Sequence, residues 1–227
     1  MDTAHFLQQQ YRLRFEGDQA YRSEIWKCLC REVFQQWVSD QDTVLDLGCG
    51  WGDFINHIGC QSKWSMDLNR ESAEHLSNVV HHLHMDCTQP WPIEPQHLDV
   101  VFSSNFLEHL PSKTAVEQVV DQVHRGLKAQ GLFILMGPNI RFLPGAYWDF
   151  WDHHTPLSER SLSELLQLKG FDIVRCVDRF LPYTMVNTTP KPIWMLSVYL
   201  KLKCLWPLLG KQFLVIAKKK INQEDLP

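Results

Sequence analysis

The stretch TVLDLGCGWGDFINHI, residues 43–58, decides the fold. An apolar run with strand character passes directly into three alternating glycines, Gly48, Gly50 and Gly52, and helix-compatible sequence follows. Glycine permits positive φ and lets a ligand approach the backbone without a side chain in the way. The stretch therefore predicts a strand, a tight ligand-binding turn and a helix.

Strand-like segments recur along the chain, and helical patterns lie between most of them. An amphipathic helix is predicted ahead of the first strand, over residues 18–38, and another after Ser158, ending at Gly170. This alternation predicts an α/β fold with a doubly wound, Rossmann-like sheet. The other predicted helices cover residues 70–80 and 114–128, and the predicted strands cover 44–47, 63–67, 82–86, 99–103, 132–136, 172–180 and 212–219.

Length and composition indicate one globular domain over residues 1–227, with 44% hydrophobic residues and a formal net charge of −4. The negative charge argues against a general nucleic-acid binder. Neither an apolar leader nor a run of 18 apolar residues occurs, which predicts no secretory signal and no transmembrane helix. Seven scattered cysteines without a CxxC pair favour reduced, mostly buried thiols and a cytoplasmic location.

Acidic residues follow the second and third predicted strands. Asp67 lies about 20 residues past the glycines, where a carboxylate can accept both hydroxyls of a ribose. Asp86 could meet an adenine amino group, and Asn105 follows the fourth strand at the same sheet edge. A dinucleotide fingerprint would place a glycine where Asp53 stands, which argues against a nicotinamide-dependent dehydrogenase.

With these segments the chain resembles the class I S-adenosylmethionine-dependent methyltransferases. The matching pieces cover roughly residues 40–180, and the resemblance implies a seven-stranded, mostly parallel sheet whose last strand runs antiparallel. The segments YWDFWDHHTPLSERSLSELL and DRFLPYT look like a bacterial subgroup associated with glycan and lipid-carrier biosynthesis. The pieces that match the wider family are VLDLGCGWGDF, MDLN, MDCTQPWP, DVVFSSNFLEHL and GLFILMGPN.

The resemblance implies S-adenosyl-L-methionine as the cofactor. The glycine turn would contact its methionine part and Asp46 would hold the amino group. Asp67 would bind the ribose, Asp86 and the Cys87 backbone would recognise the adenine, and Asn105 would lie beside the sulfonium. The residues assigned to the cofactor on this basis are Asp46, Gly48, Cys49, Gly50, Gly52, Asp67, Leu68, Asp86, Cys87 and Asn105.

Methyl transfer to a hydroxyl or a protonated amine needs a proton acceptor, and histidine titrates in the useful range. The candidates are His109, His153 and His154, of which the pair in DHH, residues 152–154, is favoured; each could instead be structural. No metal site is predicted, although DHH with Asp149 remains an alternative ligand set. The histidines of HHLH, residues 81–84, cannot converge in a strand.

Two peripheral segments have open interpretations. Residues 1–40 are predicted to form a helical lid, in which Tyr11, Arg14 or Arg22 could contact an anionic group. Residues 181–210 are predicted to form an insertion before the last strand. Residues 191–220 contain seven lysines and no acid, which fits a helix packed on the sheet, a membrane-surface helix, a pocket wall or a dimer surface.

The sequence thus predicts methyl transfer from S-adenosylmethionine to a small-molecule or carrier-linked acceptor, with a sugar hydroxyl favoured by analogy to the subgroup. A lipid-linked acceptor would put the enzyme in contact with the inner face of the membrane. The alternatives are a catalytically silent, cofactor-binding regulatory subunit and a dehydrogenase.

Overall fold

The computed structural model of the chain describes Gln9 and residues 19–183 and 190–221. Seven strands form one sheet in the order β3-β2-β1-β4-β5-β7-β6. The strands are β1 Thr43–Leu47, β2 Ser62–Asp67, β3 Val80–His84, β4 Leu98–Ser104, β5 Leu127–Pro138, β6 Phe171–Val177 and β7 Gln212–Lys219. The α-helices that the structure describes from end to end are α1 Gln19–Leu29, α2 Lys113–Gly126, α3 Glu159–Leu168, α4 Ile193–Lys201 and α5 Trp206–Leu209.

The strand directions confirm the predicted fold class. Strands β1 to β5 pair in parallel, and β7 runs antiparallel to both of its neighbours, β5 and β6. The chain adds β2 and β3 on one side of β1 and then crosses to β4 on the other. This reversal opens a crevice at the carboxyl ends of β1 and β4, which is where doubly wound sheets bind ligands.

Alternating side chains of the central strands supply two hydrophobic cores, one on each face of the sheet. In β5, Phe133 points into the core beneath α2 and α3, and Ile134 points into the core beneath α1 and α4. Val44 and Leu45 of β1 divide in the same way. Because both faces are covered, the central strands are apolar almost throughout.

The N-terminal helical segment packs into one core along residues 25–38. Helix α1 continues into a π-helical turn, Cys30–Phe34, and a 3-10 turn, Gln35–Trp37. Phe34 is fully buried, and its ring lies 5.0 Å from that of Phe102 in β4. Residues 28–34 therefore contribute to the core. The helical lid over residues 1–40 stays a prediction, and Tyr11 and Arg14 lie outside the described residues.

The predicted helix over residues 70–80 is wrong, since only a 3-10 helix, Arg70–His75, forms there. The side chain of Asn56 donates to the carbonyl of His75 and accepts from the amide of Ser77, which ends the helix early. The helix expected after the glycines is also absent, because residues 50–57 form consecutive turns.

One strand prediction shifts and another is confirmed. Strand β3 begins and ends two residues before the predicted 82–86, so Asp86 lies in the following loop. Strand β7 occupies the predicted residues 212–219, so within 191–220 the α-helices are limited to α4 and α5. Lys219 of β7 is buried, and its Nζ donates to the carbonyl of Leu127 at 2.8 Å. Helix α3 also begins as predicted, with a Ser158 capping box.

All seven cysteines are unpaired, and four of them are buried: Cys28, Cys30, Cys49 and Cys87. Among the described residues, every helix is too short or too polar to cross a membrane.

Candidate active site

The glycine turn after β1 adopts the backbone conformation that the sequence predicts. Gly48, Gly50 and Gly52 have φ values of 70°, 53° and 74°, a region in which other residues are strained. The amides of Gly48 and Cys49 both donate to the carbonyl of Met66 in β2, at 2.9 and 3.2 Å. The turn is thereby fixed against the neighbouring strand.

Two of the glycines make room for side chains of the protein itself. A Cβ atom at Gly48 would lie 2.2 Å from the ring of Phe106, and one at Gly52 would lie 2.4 Å from Leu76. The sequence interpretation assigned these glycines to the cofactor, and that assignment stays a prediction. Phe106 thus joins the end of β4 to the turn after β1.

Asp67 connects the turn to the end of β2. Its side chain accepts a hydrogen bond from the amide of Gly50 at 2.8 Å and another from the amide of Asn69 at 2.8 Å. The residue is 5% exposed. One backbone donor to each carboxylate oxygen fixes the position of this side chain at the sheet edge.

Asp46 is a buried carboxyl group beneath the same turn. Burial raises the pKa of Asp46 well above its usual value, and the charges of Asp53 and Asp67 raise it further, while a hydrogen bond from the amide of Ile55 lowers it. Asp53 is itself paired with Arg22, whose guanidinium lies over the ring of Trp51. A cationic ligand group at Asp46 would stabilise its charged form.

The remaining predicted cofactor residues lie at or beside the carboxyl edge. Asn105 has a φ of 49°, a left-handed conformation that asparagine tolerates. Its backbone amide donates to the carbonyl of Met136 at 2.8 Å. Asp86 is exposed and accepts two hydrogen bonds from Thr88. Cys87 is buried, which raises its pKa to about 12 and makes it a poor nucleophile. Leu68, next to Asp67, is exposed.

The three candidate histidines do not share one environment. The rings of His109 and His153 lie 4.9 Å apart. His109 Nδ1 lies 3.1 Å from both the carbonyl and the carboxylate of Asp152. His154 follows directly but has an exposed side chain, and its amide donates to the carbonyl of Glu108 at 2.9 Å. His109 and His153 are therefore close neighbours. The side chain of His154 is exposed, whereas that of His153 is buried.

The packing of Tyr147 against His153 was not predicted from the sequence. This residue is fully buried, its hydroxyl donates to the carbonyl of Thr155 at 2.6 Å, and its ring lies 4.8 Å from that of His153. Burial raises the pKa of Tyr147, and the nearby Glu108 raises it further. The density of aromatic residues between 147 and 151 was the available signal.

A second connection that sequence reasoning missed anchors the loop after β5. Glu159, at the start of α3, is buried and accepts from Asn139 Nδ2 at 2.6 Å while forming an ion pair with Arg141. The loop that carries the DHH segment is thus fixed at both of its ends.

A doubly wound sheet with an antiparallel seventh strand, and a glycine turn held against acidic strand ends, defines a Rossmann-like methyltransferase fold. The family model described as "Methyltransferase domain" matches residues 19–175, more than half of the chain, and the chain belongs to this family. The family membership implies S-adenosylmethionine as the cofactor.

Relatives and solved structures agree with the fold. A protein described as uncharacterized, MJ1252 of Methanocaldococcus jannaschii, is 27% identical over 125 residues, and the match spans about half of each protein, 54% of this chain and 47% of the relative. An Archaeoglobus fulgidus structure described as a SAM dependent methyltransferase has 21% identity and a TM-score of 0.68, covering 95% of this chain and 99% of its own.

Two other solved structures show how far the fold alone can be interpreted. A Methanosarcina mazei structure described as a SAM-dependent methyltransferase has a TM-score of 0.60 at 16% identity, covering 84% of this chain and 98% of its own. The [4+2]-cyclase SpnF has a TM-score of 0.59 at 15% identity, covering 85% and 79%. Likeness at this level establishes architecture, and the reaction has to be argued from the site.

Gly48→Ala should destabilise the protein by more than about 1 kcal/mol, because alanine is strained at this φ and its Cβ would meet Phe106. Gly145→Ala is the matched control, since φ there is −94° and an added Cβ meets nothing within 4 Å. Urea unfolding of both variants measures the difference. Equal stability of the two would contradict the close contact with Phe106.

Asp46→Asn should raise the thermal stability of the ligand-free protein at neutral pH. The pKa of the Asp46 carboxyl is higher in the folded protein than in the unfolded chain. Between these two pKa values, the free energy of unfolding therefore falls as pH rises. The stability gain of the variant should therefore shrink as pH falls toward the unfolded pKa. Melting curves of both proteins across this range measure it, and a pH-independent difference would contradict the raised pKa.

Proposed function

We propose that this protein transfers a methyl group from S-adenosylmethionine to a small-molecule or carrier-linked acceptor, with a sugar hydroxyl as the favoured acceptor. The observation that carries the proposal is the carboxylate of Asp67, which accepts from the amides of Gly50 and Asn69. This contact places an anionic group and a glycine turn side by side at the carboxyl edge, as a nucleoside ligand requires.

The residues near the turn offer contacts along the length of such a cofactor. Asp67 would accept from the ribose hydroxyls, and Asp46 would accept from the amino group, whose positive charge offsets the burial of the carboxylate. Asp86 and the Cys87 backbone would contact the adenine. Asn105 would lie next to the sulfonium. The other contacts fall to Gly48, Cys49, Gly50, Gly52 and Leu68.

S-adenosylmethionine supplies a methyl carbon activated by its sulfonium leaving group. The protein then has to hold the acceptor oxygen about 3–3.5 Å from that carbon and in line with the breaking bond. The fixed loop after β5 suits this task, because Asn139, Arg141 and Glu159 anchor its ends. Of the three histidines, His154 has the side chain most open to solvent, so it can pass a proton to water.

Exposed aromatic residues support a sugar as the acceptor. Trp148 and Trp151 are exposed on the loop that also carries His153, and Trp151 is 83% exposed. Flat apolar faces beside polar and ionisable groups suit a ligand that presents both hydroxyl groups and C–H faces.

A lipid-linked acceptor would explain a second exposed surface, which we call the α4–α5 surface. Its apolar side chains include Trp194 and Leu208, which are 66% and 70% exposed. Lys191, Lys201 and Lys203 are exposed in the same segment of the chain. Such a surface can insert apolar groups into a bilayer while lysines contact anionic head groups. The other apolar members are Met195, Val198, Leu202 and Leu209.

Asp67→Asn should abolish measurable binding of S-adenosylhomocysteine. The substitution replaces one carboxylate oxygen, which accepts from a backbone amide, with an NH₂ group that cannot accept. Asp99→Asn is the matched control. Asp99 also accepts from a backbone amide, that of Thr43, but at the opposite edge of the sheet. Isothermal calorimetry of the wild type and both variants, with NAD as a second ligand, measures the effect.

Absence of S-adenosylhomocysteine binding to the wild type, or a preference for NAD, would overturn the proposed function. Equal binding by the wild type and Asp67→Asn would overturn the assignment of Asp67 to the cofactor.

Membrane contact predicts that the protein sediments with vesicles made of equal parts phosphatidylglycerol and phosphatidylcholine. Trp194→Ser should weaken this association by about tenfold or more, since a large inserted side chain contributes about 1.5–3 kcal/mol. Leu168→Ser is the control, because Leu168 is 79% exposed on α3, outside the α4–α5 surface. Equal sedimentation of both variants and the wild type would contradict this surface as the membrane contact.

A further inference from the structure

Three potential metal ligands converge next to the carboxyl end of β4. One ligand atom from each of Glu108, His109 and His153 lies within 4.8 Å of the others. Glu108 and His153 are 3% and 6% exposed, so two of the three are almost fully buried. We propose that these side chains bind one divalent ion of the first transition row. The proposal replaces the expectation that the chain has no metal site.

The surroundings of His109 are those of a metal ligand. Its Nδ1 lies 3.1 Å from both the carbonyl and the Oδ2 of Asp152, so Nδ1 carries the proton and donates there. Nε2 then becomes the coordinating atom, and it lies 4.0 Å from the carboxylate of Glu108. A histidine that ligates a metal through one nitrogen usually donates from the other to a carboxylate or a carbonyl.

The other two ligands are held by packing. The ring of His153 stacks on Phe150 at 4.9 Å and lies edge-on to Tyr147 at 4.8 Å. The carbonyl of Glu108 accepts hydrogen bonds from the backbone amides of His154 and Thr155. These bonds join the turn after β4 to the loop of residues 139–158, which we call the DHH loop. The three groups therefore come from two segments that are tied to each other, as a pre-organised site requires.

The donor set selects the kind of ion. Two imidazoles and one carboxylate suit Mn²⁺, Co²⁺ or Zn²⁺ better than Mg²⁺ or Ca²⁺, which prefer oxygen ligands. With bonds of about 2.1 Å, ligand atoms in a tetrahedral arrangement lie about 3.4 Å apart, so the three side chains would move inward to bind an ion. Three protein ligands leave coordination positions open for water or an acceptor.

The role of this ion in catalysis rests on the proposed function. An acceptor hydroxyl bound to the ion would lose its proton to water more readily. An electron pair of that oxygen would then form the new bond to the methyl carbon, while the carbon–sulfur bond breaks and its electrons remain on sulfur as a thioether. Since His109 and His153 would use their nitrogens as ligands, neither would act as the base.

Ion binding is measured on the full chain after treatment with a chelator and dialysis. Calorimetric titration with Mn²⁺ and Zn²⁺, and visible absorption with Co²⁺, should give one equivalent of bound ion. Glu108→Gln and His153→Gln should each weaken binding by at least about tenfold, and Asp152→Asn, which acts through His109, by about 10–100-fold. His154→Gln is the matched control and should bind within about twofold of the wild type, because its side chain is exposed and is not one of the three ligands.

Near-ultraviolet circular dichroism establishes that each variant is folded, and Asp152→Asn tests the site without altering a buried residue. Absence of binding of all three ions to the folded wild type overturns the inference, and so does unchanged affinity in the folded Glu108 and His153 variants. S-adenosylhomocysteine binding is measured in parallel. Cofactor binding without ion binding overturns this inference alone, and ion binding without cofactor binding overturns the proposed function alone.

Discussion

The site depends on one contact, between the carboxylate of Asp67 and the backbone amides of Gly50 and Asn69. Parallel strands bring their carboxyl ends to one edge but do not fix the loops that follow them. Here a charged acceptor at the end of β2 binds an amide of the turn after β1, and each such bond is stronger than a neutral one. Through Phe106, which lies against Gly48, the same turn is also fixed to β4.

The fold was largely predictable because its signals are local and repeated. Each central strand is a short apolar run, and the glycines that follow β1 have the positive φ that their spacing indicates. Ser158 and Gly170 mark the ends of a helical segment by chemistry that acts within a few residues. Such features do not depend on distant parts of the chain.

The errors fall where distant residues decide the outcome. The helix expected over 70–80 gives way to a 3-10 turn because the side chain of Asn56, from another loop, takes the backbone groups of His75 and Ser77. The meeting of His109 with His153 could not be inferred from separation in sequence either. It depends on the carbonyl of Glu108, which accepts hydrogen bonds from two backbone amides of the DHH loop. The proposed cofactor residues could be named from the sequence because they lie at or just after the ends of strands. The grouping of side chains on the long loop after β5 could not, because it depends on contacts between distant residues.

The position of β7 has a consequence for the order of folding. This strand is the last of the seven to be synthesised, yet it lies between β5 and β6 and pairs with both. Until it emerges from the ribosome, β5 has an open edge and β6 has no strand beside it. The nascent domain therefore presents unpaired backbone donors and acceptors that favour pairing with another chain. Chaperones suppress this kind of aggregation. Closure of the sheet, and with it the final packing of both faces, waits for this last strand and brings together segments far apart in sequence, which favours slow folding.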